Sequence, residues 1–229
     1  MTGQALPGRR IVVLGGTGSL GRSVVERFCS DGASVLVADA RRPAEADRRE
    51  DVDYIIVDAL DESSVSAALG LAPPPQAVVN LIGGYAPPQP LPELDVGVLR
   101  QQFELNLVTA AIVTKHAMPL LAARGGGTIV HVSSRVATEK GENGFAYSVS
   151  KLGVVRLTEA AAAEGREQGV RVNCIMPSII DTPANRAAMP DAKHHRWPKP
   201  TQLAAVLAFL VSDDAALISG AAIPVYGLA

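Results

Sequence analysis

A chain of 229 residues that is 48% hydrophobic and 19% charged has the make-up of one globular domain, long enough to bury a sizeable core. Its formal net charge of −2 and its 4% aromatic content offer neither the basic field nor the stacking surface that nucleic-acid binding uses. No apolar run approaches the ~20 residues of a membrane span, residues 1–10 hold no apolar signal region, and Cys29 and Cys174 lie far apart inside apolar stretches, as reduced core residues do. The expectation is a cytoplasmic domain with no membrane or nucleic-acid partner.

Apolar runs alternate with longer helical patterns along nearly the whole chain. Strands are expected at residues 11–14, 34–38, 54–57, 77–81, 128–132, 170–175 and 221–225. Each is short, rich in β-branched residues and apolar on both alternations, as a buried parallel strand is. Helices are expected at residues 20–29, 62–69, 97–121, 147–167 and 201–211. This alternation predicts a single doubly wound α/β domain spanning 1–229, with about seven parallel strands and helices on both faces. Prolines at 73–75 and 87–92 break the pattern locally without dividing two composition classes.

Gly15-Gly16-Thr17-Gly18-Ser19-Leu20-Gly21 follows the first strand and enters the first helix. The Gly-x-x-Gly-x-x-Gly spacing is a variant of the dinucleotide fingerprint of Rossmann folds. Glycine permits a tight turn and close approach of backbone to a pyrophosphate, which the helix N-terminus attracts. The second strand ends at Asp39, eighteen residues after Gly21. A carboxylate there accepts hydrogen bonds from ribose hydroxyls and repels a 2′-phosphate, which favours NAD(H) over NADP(H). Arg41 and Arg42 follow, either as a seat for that phosphate or as a solvated turn. Asp58, at the end of the third strand, either faces an adenine amino group or caps the helix beginning near Asp61.

Residues 134–151 run from Ser134 to Lys151, with Tyr147 four residues before the lysine. On a helix, positions i and i+4 share a face with Cβ atoms roughly 5–6 Å apart. A phenol with pKa near ~10 is poorly matched to proton transfer at neutrality, and a nearby ammonium favours its phenolate. At ~4 Å and an effective dielectric of ~20 the attraction is about 4 kcal/mol, roughly three pKa units before desolvation subtracts. The expectation is a Tyr147 made usable as a proton donor or acceptor by Lys151.

With these features in order, the chain resembles the short-chain dehydrogenase/reductase family. The resemblance includes Asn106 within Phe103-Glu104-Leu105-Asn106, Val132-Ser133-Ser134, Tyr147-Ser148-Val149-Ser150-Lys151, and Pro177-Ser178-Ile179-Ile180-Asp181-Thr182. It implies an NAD(P)-dependent enzyme that interconverts a carbonyl and an alcohol on a small molecule. It further implies that Tyr147 transfers the proton, Ser134 orients the reacting oxygen, and Lys151 tunes Tyr147 and bonds the nicotinamide ribose. Asn106 then holds a water linking Lys151 to solvent, while Thr182 and the Ile180 backbone position the carboxamide. The implied cofactor set is Gly15, Thr17, Gly18, Ser19, Leu20, Gly21, Asp39, Asp58, Asn80, Gly83, Tyr147, Lys151, Pro177, Ile180 and Thr182, with no metal. Since helices 97–121 and 147–167 pair across a two-fold axis in that family, a homodimer or homotetramer is implied.

The chain departs from the family at Asn80-Leu81-Ile82-Gly83, where Asn-Asn-Ala-Gly is usual, and at Val225-Tyr226-Gly227, where Asp-Gly is more usual. Residues 181–192 and Trp197 are similar to the corresponding part of dihydropteridine reductases, which keeps a pteridine-type reductase as an alternative. Ser134 and Asn106 favour carbonyl chemistry instead. A nucleotide-binding sensor is a third reading, but it has no need of an activated phenol. Residues 183–200 are proline-punctuated, as a mobile substrate lid is. In them Met189 and Trp197 either cover an apolar substrate or, for Trp197, anchor a solvated loop. Lys193, His194, His195 and Arg196 either meet an anionic substrate or form a solvated loop; two adjacent histidines without a third ligand do not make a metal site.

Overall fold

Seven strands, all parallel, pair in the order β3-β2-β1-β4-β5-β6-β7 in the computed structural model, which describes residues 5–139 and 144–229. They are β1 (Arg10–Leu14), β2 (Ser34–Asp39), β3 (Val52–Ile56), β4 (Ala77–Asn80), β5 (Gly127–Val132), β6 (Val170–Pro177) and β7 (Ala222–Val225). Successive side chains on a strand point to opposite faces, so a strand apolar at every position needs cover on both. Here Ile11 and Val13 enter one core cluster while Val12 and Leu14 enter another. The first cluster is completed by α1 (Ser19–Ser30) and α7 (Pro200–Val211), through Val24, Phe28, Leu203 and Leu207. The second is completed by α2 (Glu62–Leu69), α4 (Thr109–Ala123) and α5 (Phe145–Gly165), through Val65, Val113, Leu121 and Ala161. Phe28 alone, fully buried, contributes about 1.5–3 kcal/mol of transfer free energy.

Three differences from the sequence pattern have identifiable causes. Strand β3 starts two residues early because Val52 pairs with Val35; as the outer strand it tolerates Asp53, which pairs with Arg10 at 3.2 Å. The expected helix 97–121 is α3 (Val96–Phe103) followed by α4, joined through a π-helical turn at Glu104–Val108 that contains Asn106. A short α6 (Pro183–Ala188) stands inside the segment read as a lid; Thr182 caps it by accepting from the Asn185 amide at 3.2 Å, and Pro183 opens it. The continuous helix Val96–Ala123 is long and apolar enough to match a membrane span by length and composition, yet Ala110, Ile112, Val113, Ala117 and Leu121 are buried within the fold.

The chain goes out from β1 to β2 and β3 on one side, then returns to β4 on the other. That reversal opens a crevice beyond the carboxyl ends of the central strands, the place where doubly wound folds bind ligands. Gly15, Asp39, Asp58, Asn80, Ser134 and Pro177 all lie at or just past those ends.

Candidate active site

The loop after β1 is shaped by glycine. Gly15 has φ of 77°, and a Cβ on Gly21 would stand 2.5 Å from the Gly15 carbonyl oxygen, so only glycine lets α1 close onto the loop. At Gly18, the N-cap, an added Cβ would meet nothing nearer than 3.7 Å, and no side chain caps the helix. The first-turn amides of Ser19, Leu20 and Gly21 are thus left for an anion. Asp39 fastens the neighbouring strand end to this loop, one carboxylate oxygen accepting from the Thr17 amide (3.0 Å) and hydroxyl (2.8 Å). Its other oxygen has no hydrogen-bond partner among the described residues. A bare helix end beside a carboxylate fits a dinucleotide.

Other members of the expected cofactor set play varied parts. Asp58 is exposed and accepts from the Leu60 amide at 3.0 Å; the cap of α2 is Asp61 instead. Asn80 is buried, and it supports the loop by accepting from the Ile82 amide at 3.1 Å. Pro177 closes β6. The Ile180 carbonyl already accepts from the Thr182 amide (2.9 Å) and Asn185 Nδ2 (2.8 Å), so its amide, not its carbonyl, is the group left over.

Tyr147 and Lys151 stand on the first two turns of α5, across from Ser134 just past the end of β5. Lys151 is 4% exposed and donates to the Val132 carbonyl at 3.1 Å; Ser133 donates to the Lys151 carbonyl at 2.7 Å, locking α5 to β5. Asn106 Oδ1 accepts from the Gly84 amide at 2.9 Å. Its Nδ2 lies 3.0 Å from the Gly84 carbonyl and 3.1 Å from both Gln102 Oε1 and Ser150 Oγ. The extra residue of the π turn is found at this functional position, where such bulges often occur. A Cβ on Gly83 would lie 2.7 Å from both Asn106 Oδ1 and Lys151 Nζ, so that glycine is where the loop, the amide and the ammonium meet.

Electrostatics correct one expectation. Burial raises the Tyr147 pKa above its ordinary 10, against a lowering by the Ser134 hydroxyl and with a smaller upward push from Tyr85. Lys151 Nζ is 5.9 Å from the centre of the Tyr147 ring and makes no hydrogen bond to its hydroxyl among the described residues; its own ammonium is pushed down to about 8 by burial. Desolvation wins over the attraction on which the sequence argument relied. The same burial, with the Lys151 charge, lowers His131 to about 4.

Several partners were not singled out from the sequence. Ser150, Gln102 and His131 are polar residues in otherwise apolar segments, and that mismatch was the signal available. Tyr85 meets Tyr147 edge to face at 5.2 Å, and Arg135 stacks over Tyr226 at 5.2 Å, pairings of distant loops that no spacing encodes. Trp197 proves to be an anchor: it is buried and packs on His194 at 4.7 Å, so it is not free to cover a substrate. His194 in turn meets the Met189 carbonyl at 2.7 Å. Among the described residues no cluster of His, Cys, Asp and Glu could hold a metal.

Residues 9–193 match the sequence pattern of the family described as short chain dehydrogenase. The chain is 32% identical to cis-4-hydroxycyclohexanecarboxylate dehydrogenase of Sinomonas cyclohexanicum, over 98% of both proteins. It is 28% identical to 7alpha-hydroxysteroid dehydrogenase of Bacteroides fragilis, over 95% of this chain and 92% of that one. A short-chain type dehydrogenase/reductase from Mycobacterium ulcerans superposes with a TM-score of 0.90 at 27% identity, covering 98% of this chain and 90% of the other.

Proposed function

The chain belongs to the short-chain dehydrogenase family, and from that premise we propose that it interconverts a ring-borne secondary alcohol and its ketone, using NAD(H) in preference to NADP(H). The observation that carries this reading is the convergence of Ser134, Tyr147 and Lys151 at the crevice, with Asn106 bonded into the loop behind them. When bound, the dinucleotide supplies or accepts the hydride. The protein's share is orientation and proton transfer.

In the reducing direction the Tyr147 hydroxyl gives its proton to the carbonyl oxygen, and in the oxidising direction the phenolate takes it back. Ser134 donates a hydrogen bond to the same oxygen and fixes its approach. Burial keeps Tyr147 protonated at neutral pH, which suits the donor role. Lys151 holds the ribose and passes a proton outward past Asn106. The Ser19, Leu20 and Gly21 amides take the pyrophosphate, and the free oxygen of Asp39 takes the adenosine ribose. Thr182 and the Ile180 amide receive the carboxamide.

The alicyclic substrate is supported by the names of the relatives. Residues 183–200 form the substrate cover in this reading, with α6 tied back by the Arg186–Asp181 pair. Exposed Val96, Val108 and Leu152 are apolar surface for a second copy, in keeping with a cytoplasmic homodimer or homotetramer.

The test is a turnover panel of cyclic alcohols and ketones, cis-4-hydroxycyclohexanecarboxylate and a 7α-hydroxysteroid included, run with wild type and Tyr147→Phe in parallel. The variant is expected to bind dinucleotide normally and to lose about 10²–10⁴-fold in kcat. Full turnover by Tyr147→Phe would sink the mechanism; activity confined to quinonoid dihydropterin would replace the substrate class.

A further inference from the structure

At the other end of the sheet, far from Tyr147, the N-terminal ends of β1, β4, β5 and β6 border a separate cavity of about 860 Å³. That is the size of small-molecule pockets, roughly 300–1,000 Å³. Arg9, Arg124, Arg166 and Arg171 line it against two carboxylates, Glu159 and Asp213, a formal surplus of two positive charges on a chain whose net charge is −2. Both acids are already engaged, Asp213 by Arg9 and Glu159 by Arg156, which stands outside the lining. Arg171 is clamped by the carbonyls of Leu210 (3.0 Å), Ser212 (3.3 Å) and Ile218 (3.1 Å), so its charge is fixed by neutral acceptors. Arg124 and Arg166 are exposed and have no hydrogen-bond or ion-pair partner among the described residues.

The second observation is independent of charge. Thr128 also lines this cavity, is 1% exposed, and its hydroxyl is the single buried side-chain polar atom without a partner among the described residues. Proteins rarely leave such a group unpaired, because it forfeits its hydration for nothing. Thr128 pairs in register with Arg171 on the neighbouring strand, so by strand alternation the idle hydroxyl and the clamped guanidinium stand side by side on the α7 face. Nearby, Leu217 is completely exposed at the rim.

We propose that this cavity binds a small organic anion, its phosphate or carboxylate group drawn in at the edge of the sheet by Arg124 and Arg166, with Arg171 and the Thr128 hydroxyl on the α7 side of that edge, and its apolar part covering Leu217. A hydroxyl able to donate, beside the Arg171 guanidinium and in a cavity with a surplus of positive charge, suits an acceptor-only oxyanion better than a cation. The site shares no residue with the tetrad or the dinucleotide loop, so its occupant binds together with cofactor and does not displace it.

The experiment is calorimetric titration of inorganic pyrophosphate, and separately of citrate, into the protein at low ionic strength with saturating nicotinamide dinucleotide, which keeps the α1 N-terminus filled. One saturable site per chain is expected for at least one anion, and the tighter of the two tells whether phosphate or carboxylate is the natural group. Arg124→Ala/Arg166→Ala, two exposed positions, is expected to weaken binding at least about tenfold. Thr128→Val is expected to weaken it roughly three- to tenfold without lowering the melting temperature, since it removes an unpaired hydroxyl. No saturable heat with either anion, or equal affinity in the double arginine variant, overturns the proposal.

Discussion

Replacing Lys151 with methionine is expected to stabilise the fold while removing its chemistry. Lys151 is 4% exposed, and burial brings its pKa from 10.5 down to about 8. That fall corresponds to roughly 3 kcal/mol spent at neutral pH to keep the side chain charged inside the protein. Methionine has similar reach and no charge; it forgoes the hydrogen bond to the Val132 carbonyl, worth about 1 kcal/mol. The net gain is about 2 kcal/mol at pH 7, or roughly 4 °C in Tm for a chain of this size. The pH dependence gives the sharper check. The folded-state pKa lies below the unfolded one, so the cost in the wild type is full below about 8 and disappears as pH rises to 10.5. Thermal unfolding followed by circular dichroism should therefore show Lys151→Met ahead at pH 7, with the lead shrinking and then reversing by about pH 10. A variant that is less stable at pH 7, or a gap that does not change with pH, refutes the reasoning.

His131 should shape the acid side. Its pKa of about 4 lies below the ordinary 6.5, so stability is complete above 6.5 and is lost as pH falls through 4; urea titrations should show a shallower acid slope for His131→Gln. Gly83→Ala would place a methyl group 2.7 Å from Asn106 Oδ1 and Lys151 Nζ, and is expected to cut kcat about 10²-fold while costing only about 1–2 kcal/mol of stability, read by kinetics and denaturation in parallel. Asp39→Ala is expected to raise the NADH dissociation constant and narrow the preference over NADPH, since a repelling carboxylate is removed; fluorescence titration of both cofactors measures this, and an unchanged ratio contradicts the role given to Asp39.

Much of the architecture was legible because the fold is written in short, continuously apolar strands separated by helices, and because residues 15–21 combine a turn with a helix start. What escaped has physical reasons. The π turn at Asn106 leaves no trace in hydrophobic periodicity, since Glu104–Val108 remains helical and merely gains a residue. The helix of residues 183–188 was too short to show a period. Trp197 stayed open between substrate cover and loop anchor because a large ring in a polar segment has two explanations, and only its burial against His194 separates them. The upward shift of Tyr147 depends on how much water reaches the ring, a quantity that i, i+4 spacing does not contain.

Gly83 sets the terms on which this enzyme can be redesigned. A Cβ added there would run into an amide fixed through Gly84, Gln102 and Ser150 and an ammonium fixed through Val132, so a library that randomises it is expected to return mostly inactive clones. Two residues later the same loop carries Tyr85, 66% exposed, with its edge against Tyr147. Variation aimed at the surroundings of Tyr147 is therefore expected to be better tolerated at Tyr85 than at Gly83.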